Sequence, residues 1–396
     1  MAGHCRKAST TQQYVREADY TFAWYHNLAT NPSLNVEPGC LCANMKQWTT
    51  AQDGLEKLTY TDAADKPIPK DGEVLVKINT VALNYRDTEV VMGLYGHHKS
   101  LSRSAAVVPC SDICGTIAFA NGSSKWKEGQ RVMAIFNQSH LTGQIKEKDM
   151  ASGLGLPLPG TLTEYRPFPA ESLVVVPDYL SDEEACCLPI ASVTAWMAIN
   201  GMRPLGHHAE GCSKPETVLI QGTGGVAIAG LQIAHAAGFK TIITSSSDDK
   251  LEKAKQLGAD YTINYRTQSD WEADVMRLTD GEGADIIFEN GGAQTLRKSF
   301  DCVAFGGLIN CIGYLSGKED TPGDRLNTNV LALRRNVTLK GILNGPKDRF
   351  EEMTALYAQH HIRPVVDKVF DFERANEGLK YLYSGGHFGK VVVKVS

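Results

Sequence analysis

The sequence predicts an α/β protein in which a strand-rich first half gives way to a doubly wound parallel sheet. Three observations carry this. Short segments after Met45 alternate polar and apolar residues. From Asp182 onward, apolar strand-like runs alternate with helical patterns. The last residues, Lys368–Ser396, return to strand, helix and strand. A parallel crossover needs a dozen or more connecting residues, so such alternation places helices on the faces of a parallel sheet.

Residues 1–44 are polar and weakly periodic and are expected to be a poorly ordered extension. In the first half, Glu73–Ile78 has the period of a half-buried strand, and Gly115–Ala120 and Gln130–Phe136 repeat it between turn residues. Glu183–Asn200 reads as one helix, with Leu188, Ala191, Ala195 and Ile199 on one face and Asp182 as N-cap. Then follow a strand at Thr217–Gln221, a helix at Val226–Ala237, a strand at Lys240–Thr244, a helix at Lys250–Leu257 and a strand at Tyr261–Asn264. A helix at Asp270–Leu278 precedes strands at Ala284–Phe288, Gly307–Ile312 and Asn336–Lys340.

Composition sets limits. The 396 residues carry a formal charge of −5 without a basic stripe, which argues against nucleic acid as a partner. No apolar run approaches the roughly 20 residues that span a bilayer, so no membrane is expected. The first thirty residues hold no apolar signal core, and Glu17 and Asp19 argue against a transit peptide. Ten cysteines without a C-x-x-C pair read as small hydrophobes in a reducing, cytoplasmic setting.

The most informative motif is Gly222-Thr223-Gly224-Gly225-Val226-Ala227, which follows a strand and opens a helix. In this context the first glycine makes the turn and the second lets the backbone approach a pyrophosphate. A small third residue lets helix and strand pack, and the helix N-terminus faces the anion. The motif therefore predicts a Rossmann domain with a dinucleotide. NAD-binding sites place an Asp or Glu at the end of the second strand to hold the ribose 2′-hydroxyl. Here that position reads Thr244-Ser245-Ser246-Ser247, with Lys250 close by, which favours the 2′-phosphate of NADPH. One charge-assisted contact, at about 1.5–3 kcal/mol, favours NADPH roughly 10–100-fold. Asp248 and Asp249 are read as the cap and first turn of the next helix.

Together with Leu83–Asp87, Gly93–Tyr95, Pro109–Asp112, Leu188–Trp196, Ile263–Tyr265 and Gly386–Val392, the glycine loop makes the chain from Met45 onward resemble the medium-chain dehydrogenase/reductase superfamily. The resemblance is to its zinc-free quinone oxidoreductase-like branch and to fungal alcohol dehydrogenase-like proteins. It implies a GroES-like β domain (45–190 with 341–396) interrupted by a Rossmann domain (191–340). It further implies that Lys250 and Tyr265 grip the 2′-phosphate with help from Ser246. Thr194 is expected near the nicotinamide, and Asn290, Gly291, Ile312, Gly313 and Tyr314 at the ends of Rossmann strands. Gly345 and Lys347 are expected near phosphate or ribose. Family members are commonly dimers or tetramers, so a homo-oligomer is expected.

Zinc-dependent relatives hold the metal through a Cys, a His followed by Glu, and a further Cys or Asp. By resemblance those positions are here Asn84, Cys110–Asp112 and Ile190, and the cysteine-rich structural lobe is absent. Three N or S ligands are not assembled, so no metal is expected. The pairs His97-His98, His207-His208 and His360-His361 are read as surface histidines, and Arg86-Asp87 as a structural ion pair. Without zinc, reduction of an alkene conjugated to a carbonyl asks least of the protein: the developing enolate needs one or two hydrogen-bond donors. By resemblance Asn84 and Tyr95 line the substrate pocket, with Tyr85 as a further candidate. The expected activity is NADPH-dependent hydride transfer to a small enone, enal or quinone. The alternative is a zinc-independent alcohol dehydrogenase or carbonyl reductase, such as a tailoring enzyme of a biosynthetic pathway. Pocket shape is expected to depend on the loops Tyr95–Val108 and Leu141–Thr161.

Overall fold

Two large sheets organise the chain, and the last strands of the sequence return to the first of them. The computed structural model describes residues 44–96, 106–209, 215–319 and 326–396. The expectations for residues 1–43, for His97-His98 and for most of the loop after Tyr95 lie outside these. Met45–Ser396 forms one unit.

A short pair, β1 (Asn44–Thr49) and β2 (Thr59–Asp65), precedes a seven-stranded sheet. That sheet holds β3 (Glu73–Leu83), β4 (Asp112–Phe119), β5 (Arg131–Ala134), β6 (Tyr165–Pro169) and β7 (Leu173–Val175). The six-stranded sheet holds β8 (Thr217–Gln221), β9 (Lys240–Ser245), β10 (Tyr261–Asn264), β11 (Ala284–Glu289), β12 (Val303–Cys311) and β13 (Thr338–Gly341). The chain then returns to the first sheet with β14 (Val366–Asp371) and β15 (Lys390–Lys394), and β15 pairs antiparallel with β3.

The six-stranded sheet runs β10-β9-β8-β11-β12-β13, and each pairing in it is parallel. Val218, Leu219 and Ile220 are fully buried, as a central strand covered on both faces requires. The strand order reverses between β8 and β11. At such a switch point the connections leave in opposite directions and open a crevice beyond the carboxyl ends of the strands. Gly222 and Asn290 begin the loops at that crevice.

The expected helix at Glu183–Asn200 is broken. Asp182–Ala185 is one short turn, Leu188–Ser192 is a π-helical turn, and a regular helix runs only over Val193–Asn200. Pro189 lacks the N–H for the helical ladder, and the wider turn accommodates it. The cap is Ser181 rather than Asp182: its Oγ accepts from Glu184 N at 3.2 Å while Glu184 Oε2 accepts from Ser181 N at 2.9 Å. Likewise Ser247 caps the helix Asp248–Gln256, which leaves Asp248 and Asp249 in its first turn. Asn336, at φ 55°, ends a helix over Thr328–Arg335, so β13 begins at Thr338 rather than at Asn336.

Among the described cysteines, five are buried and Cys311 is half-buried, and all six are free. His207, His360 and His361 are exposed. His208 departs from the surface reading: it is half-buried, 5.4 Å from Trp196 between ring centroids. Arg86 and Asp87 do pair, at 3.5 Å. Among the described residues no helix is long and apolar enough to cross a membrane.

Candidate active site

The glycine loop has the geometry its sequence demands. Gly222 sits at φ 82°, where an L side chain is strained, and its amide donates to Thr244 O at 2.9 Å. Gly224 opens the helix Gly225–Ala236 without a side-chain cap, so no side chain occupies the first-turn N–H groups. A Cβ on Gly225 would lie 2.6 Å from Lys390 Cδ. The close helix–strand contact falls one turn later than the motif suggests. A Cβ on Gly230 would meet the Phe288 ring at 2.4 Å, whereas Ala227 is accommodated and buried. Val226 is partly buried beside the same core. The uncapped helix end and the glycines of its loop, with the Thr223 side chain buried against Ser245, fit a pyrophosphate.

Around this loop several expected residues converge. Asn290 Nδ2 donates to Gln221 O at 2.7 Å, and a Cβ on Gly313 would lie 2.8 Å from Asn290 O. The crevice walls at β8, β11 and β12 are therefore locked together. Glu289, 1% exposed, accepts from Gln221, from the Gly291 and Gly292 amides, and from Thr295 and Ser299. Sequence reading missed this organiser, because a strand-end acid looks like any other turn-side residue. Thr194 is buried, and its Oγ1 lies 3.4 Å from Asn344 Nδ2, which also donates to Pro189 O and Ile190 O.

Beyond β9, Ser246 is half-buried, and the Tyr265 amide donates to Ser245 O at 3.1 Å, so the two expected phosphate neighbours lie side by side. Tyr265 is 43% exposed. Lys250 starts nearby, but its Nζ donates to Gly385 O at 3.0 Å and His387 O at 2.9 Å. Burial lowers its pKa. Lys347 does not join the cluster. It opens the helix Lys347–Gln359, is buried, and donates to Glu171 O at 2.7 Å, so its ammonium is committed to the loop beside β7. Desolvation, reinforced by Lys125, lowers it to about 8.

The three expected catalytic residues lie on or just beyond one helix. Asn84 follows β3 and is the N-cap of Tyr85–Val91, and its own amide donates to Asp87 Oδ2 at 2.8 Å. Its side chain is fixed by two charged neighbours. Lys390 Nζ donates to Asn84 Oδ1 at 2.7 Å and to Leu83 O at 2.6 Å, while Asn84 Nδ2 donates to Asp112 Oδ2 at 2.9 Å. An ammonium can only donate and an ionised carboxylate can only accept, so the amide orientation is forced and one N–H remains for a ligand. Asp112 is fully buried, and desolvation raises it to about 6 even though Lys390 and Asn84 pull it down. Tyr85 is 39% exposed and stacks on Tyr383. Tyr95 packs against Val90, Val107 and Leu156, with the Arg86 guanidinium 4.7 Å above its ring.

Lys390 and Asp112 were within reach of sequence reading, in the Gly389-Lys390 and Ser111-Asp112 pairs. The resemblance put the end of the chain with the first β domain, but it did not show that Lys390 meets Asn84 at the end of β3. That follows from β15 pairing with β3 and from the bridge between Gly389 and Gly224.

Comparison with known proteins agrees. Residues 70–178 match the alcohol dehydrogenase GroES-like domain, and residues 225–359 match the zinc-binding dehydrogenase domain. A zinc-type alcohol dehydrogenase-like protein of Schizosaccharomyces pombe is 39% identical over 82% of this chain and 91% of its own length. The chain belongs to the medium-chain dehydrogenase/reductase superfamily. It is an oxidoreductase of that superfamily, whose members bind a nicotinamide cofactor. Human quinone oxidoreductase is 26% identical over 86% of this chain and 94% of its own. The crystal structure of an NAD-dependent alcohol dehydrogenase superposes with a TM-score of 0.76 at 30% identity, covering 89% of this chain and all of that one. The GroES-like and Rossmann assignments of the fold stand on these matches and on the two sheets.

Zinc is implied by two of these names, and the residues here do not fit it. The cluster at the end of β3 offers an amide and one carboxylate, and a fixed ammonium lies 3.9 Å from that carboxylate. A divalent cation there would face Lys390 at close range with no thiolate or imidazole to compensate. Among the described residues no group of three His, Cys, Asp or Glu is placed to hold a metal.

Proposed function

We propose that the protein is an NADPH-dependent reductase that adds hydride to a small activated alkene (an enone or enal) or a quinone, without zinc. The observation that carries this reading is the Lys390–Asn84–Asp112 cluster. It supplies an oriented N–H donor and a buried positive charge next to the glycine loop. The bound nicotinamide supplies the hydride. Hydride addition to the β-carbon leaves electron density on the conjugated oxygen, and a fixed donor in a dry site stabilises that oxygen by a few kcal/mol. Asn84 is the donor, Lys390 and Asp112 hold it, and Tyr95 and Tyr85 shape the pocket.

NADPH is favoured by Ser246 and Tyr265 and by the lack of an acidic residue at the end of β9. One solved relative is NAD-dependent, so the preference rests on these residues of the present chain. In its alcohol dehydrogenase-like relatives the alternative reading, carbonyl–alcohol interconversion, keeps its support. A homo-oligomer, dimer or tetramer, is part of the proposal, as is a cytoplasmic location.

The test is NADPH and NADH oxidation against enones, enals, quinones, aldehydes and secondary alcohols. Turnover of enones or quinones with NADPH supports the reading. Turnover confined to alcohols and aldehydes replaces it with the alternative.

A further inference from the structure

One buried carboxylate near the proposed pocket has no part in the cluster above. Glu89 is 3% exposed on the helix Tyr85–Val91, one turn beyond Tyr85. Both of its oxygens are taken by residues from the loop after β12, in the other sheet's half of the molecule. Tyr314 Oη donates to Oε2, and Lys318 Nζ lies 2.9 Å from Oε1. The Lys318 ammonium also lies 4.5 Å from the centre of the Tyr314 ring. Tyr314 is close enough to Tyr95 and Tyr85 that both affect its ionisation. Three phenols, two from the GroES-like half and one from the end of a Rossmann strand, thus gather near one another, with Glu89 bonded to Tyr314 and close to Tyr85.

A buried carboxylate is costly unless paired. What Glu89 and Tyr314 provide together is a proton path. A phenol that donates to a carboxylate can pass its proton there while taking another at the same oxygen, and the reverse path is equally open. Lys318, on the rim, balances the charge and faces water with 46% of its side chain exposed.

We propose that Glu89 and Tyr314 form a proton relay between solvent and substrate, with Lys318 as counter-ion. This rests on the reductase reading above. Once hydride has reached carbon, the electron pair of the broken π bond resides on the substrate oxygen. That oxygen takes the proton of Tyr314. The O–H bond of protonated Glu89 breaks in turn, and its proton restores the phenol. Glu89 is left as a carboxylate and is recharged from water beside Lys318. Oxidation of an alcohol runs the same steps backwards, ending with a protonated Glu89. Tyr314 acts on the substrate, and Glu89 acts through Tyr314. Burial and the hydrogen bond to Glu89 push the Tyr314 phenol far above its usual range, so it stays protonated between turnovers.

The experiment uses the full-length protein and the variants E89Q, E89A and Y314F. In wild type, kcat should be slower in heavy water. E89Q and Y314F should each lose kcat by roughly 10²-fold, the low end for general acid catalysis, with KM and NADPH affinity by fluorescence titration little changed. Formate should restore part of the E89A rate. If both variants keep wild-type kcat, the relay is wrong while the reductase reading stands. If kcat, NADPH affinity and melting temperature fall together and formate restores nothing, the cluster is only a clasp between the two halves, and the relay is again wrong. Should wild type reduce nothing in the panel, the reading has failed. The relay is then judged by ultraviolet difference titration of tyrosinate. E89Q should lower the pH at which the Y314F-sensitive phenol ionises, and an unchanged titration overturns it.

Discussion

Replacing Lys390 with methionine removes the ammonium and keeps a stem to pack against Gly225. Two carbonyl acceptors, Leu83 O and Asn84 Oδ1, then lose a charged donor, at about 1–3 kcal/mol each. Asp112 loses its cation as well, but that loss has a ceiling. Its pKa is already about 6, so at about pH 7 the carboxyl can take a proton for about 1.4 kcal/mol. The expected destabilisation is therefore about 3–5 kcal/mol at about pH 7. It should be smaller by about 1 kcal/mol near pH 5, where Asp112 is protonated in either form. Catalysis should suffer to a similar extent. With its amide free to turn, Asn84 loses its aim, and kcat should fall roughly 10²–10³-fold, as for loss of an oxyanion donor. Urea unfolding at the two pH values and NADPH oxidation with an enone measure both effects. A folded K390M enzyme with wild-type kcat would refute the role given to this cluster. A stability loss independent of pH would refute the link between Lys390 and Asp112.

Other outcomes follow from the same geometry. Because burial holds Asp112 at about 6 when folded, above its unfolded value, its protonated form favours the folded state. Its contribution to stability is present at low pH and is lost as pH rises through about 6. Activity should run the other way, since protonation turns the Asp112 oxygen that holds Asn84 Nδ2 from an anionic acceptor into a weaker one. The kcat/KM profile should fall below about pH 6, and D112N should remove that acid limb. Ser246→Asp should place a carboxylate beside Tyr265, repel the 2′-phosphate and lower the NADPH-to-NADH preference by more than about tenfold; an unchanged ratio would remove Ser246 from the cofactor site. Light scattering should give a dimer or tetramer mass. The edge strand β13 and the exposed Leu339, Phe305 and Leu333 offer the apolar surface for it; a monomer at assay concentration would contradict this.

Much of the fold was legible because its signals are local. The run Thr217–Gln221 followed by Gly222 and a helix states strand, turn and helix in one short stretch, and the structure follows it within one residue. The break at Pro189 was visible in the sequence, yet the apolar face of Leu188, Ala191 and Ala195 continues through it, so periodicity alone read one helix. The helix Tyr85–Val91 escaped notice because it is short and carries buried Asp87, Thr88 and Glu89, which have the composition of a loop. Parts of the candidate site were legible to the same degree. Ser246 and the glycine loop can be picked out of the sequence directly, and Asn84 through the family resemblance. Lys390 with Asn84, and Tyr314 with Glu89, are 306 and 225 residues apart, and only strand pairing and the meeting of the two halves bring them together. Lys347 shows the opposite failure: a basic residue at an apt place in the sequence is drawn off by Glu171 O once the helix it opens is packed.

The most direct test of zinc-free chemistry is enone-dependent NADPH oxidation by protein dialysed exhaustively against a chelator, with its metal content measured alongside. An undiminished rate with substoichiometric metal is expected, because Lys390 and Asn84 carry the charge and the donor. A rate that vanishes on chelation and returns with zinc would contradict it.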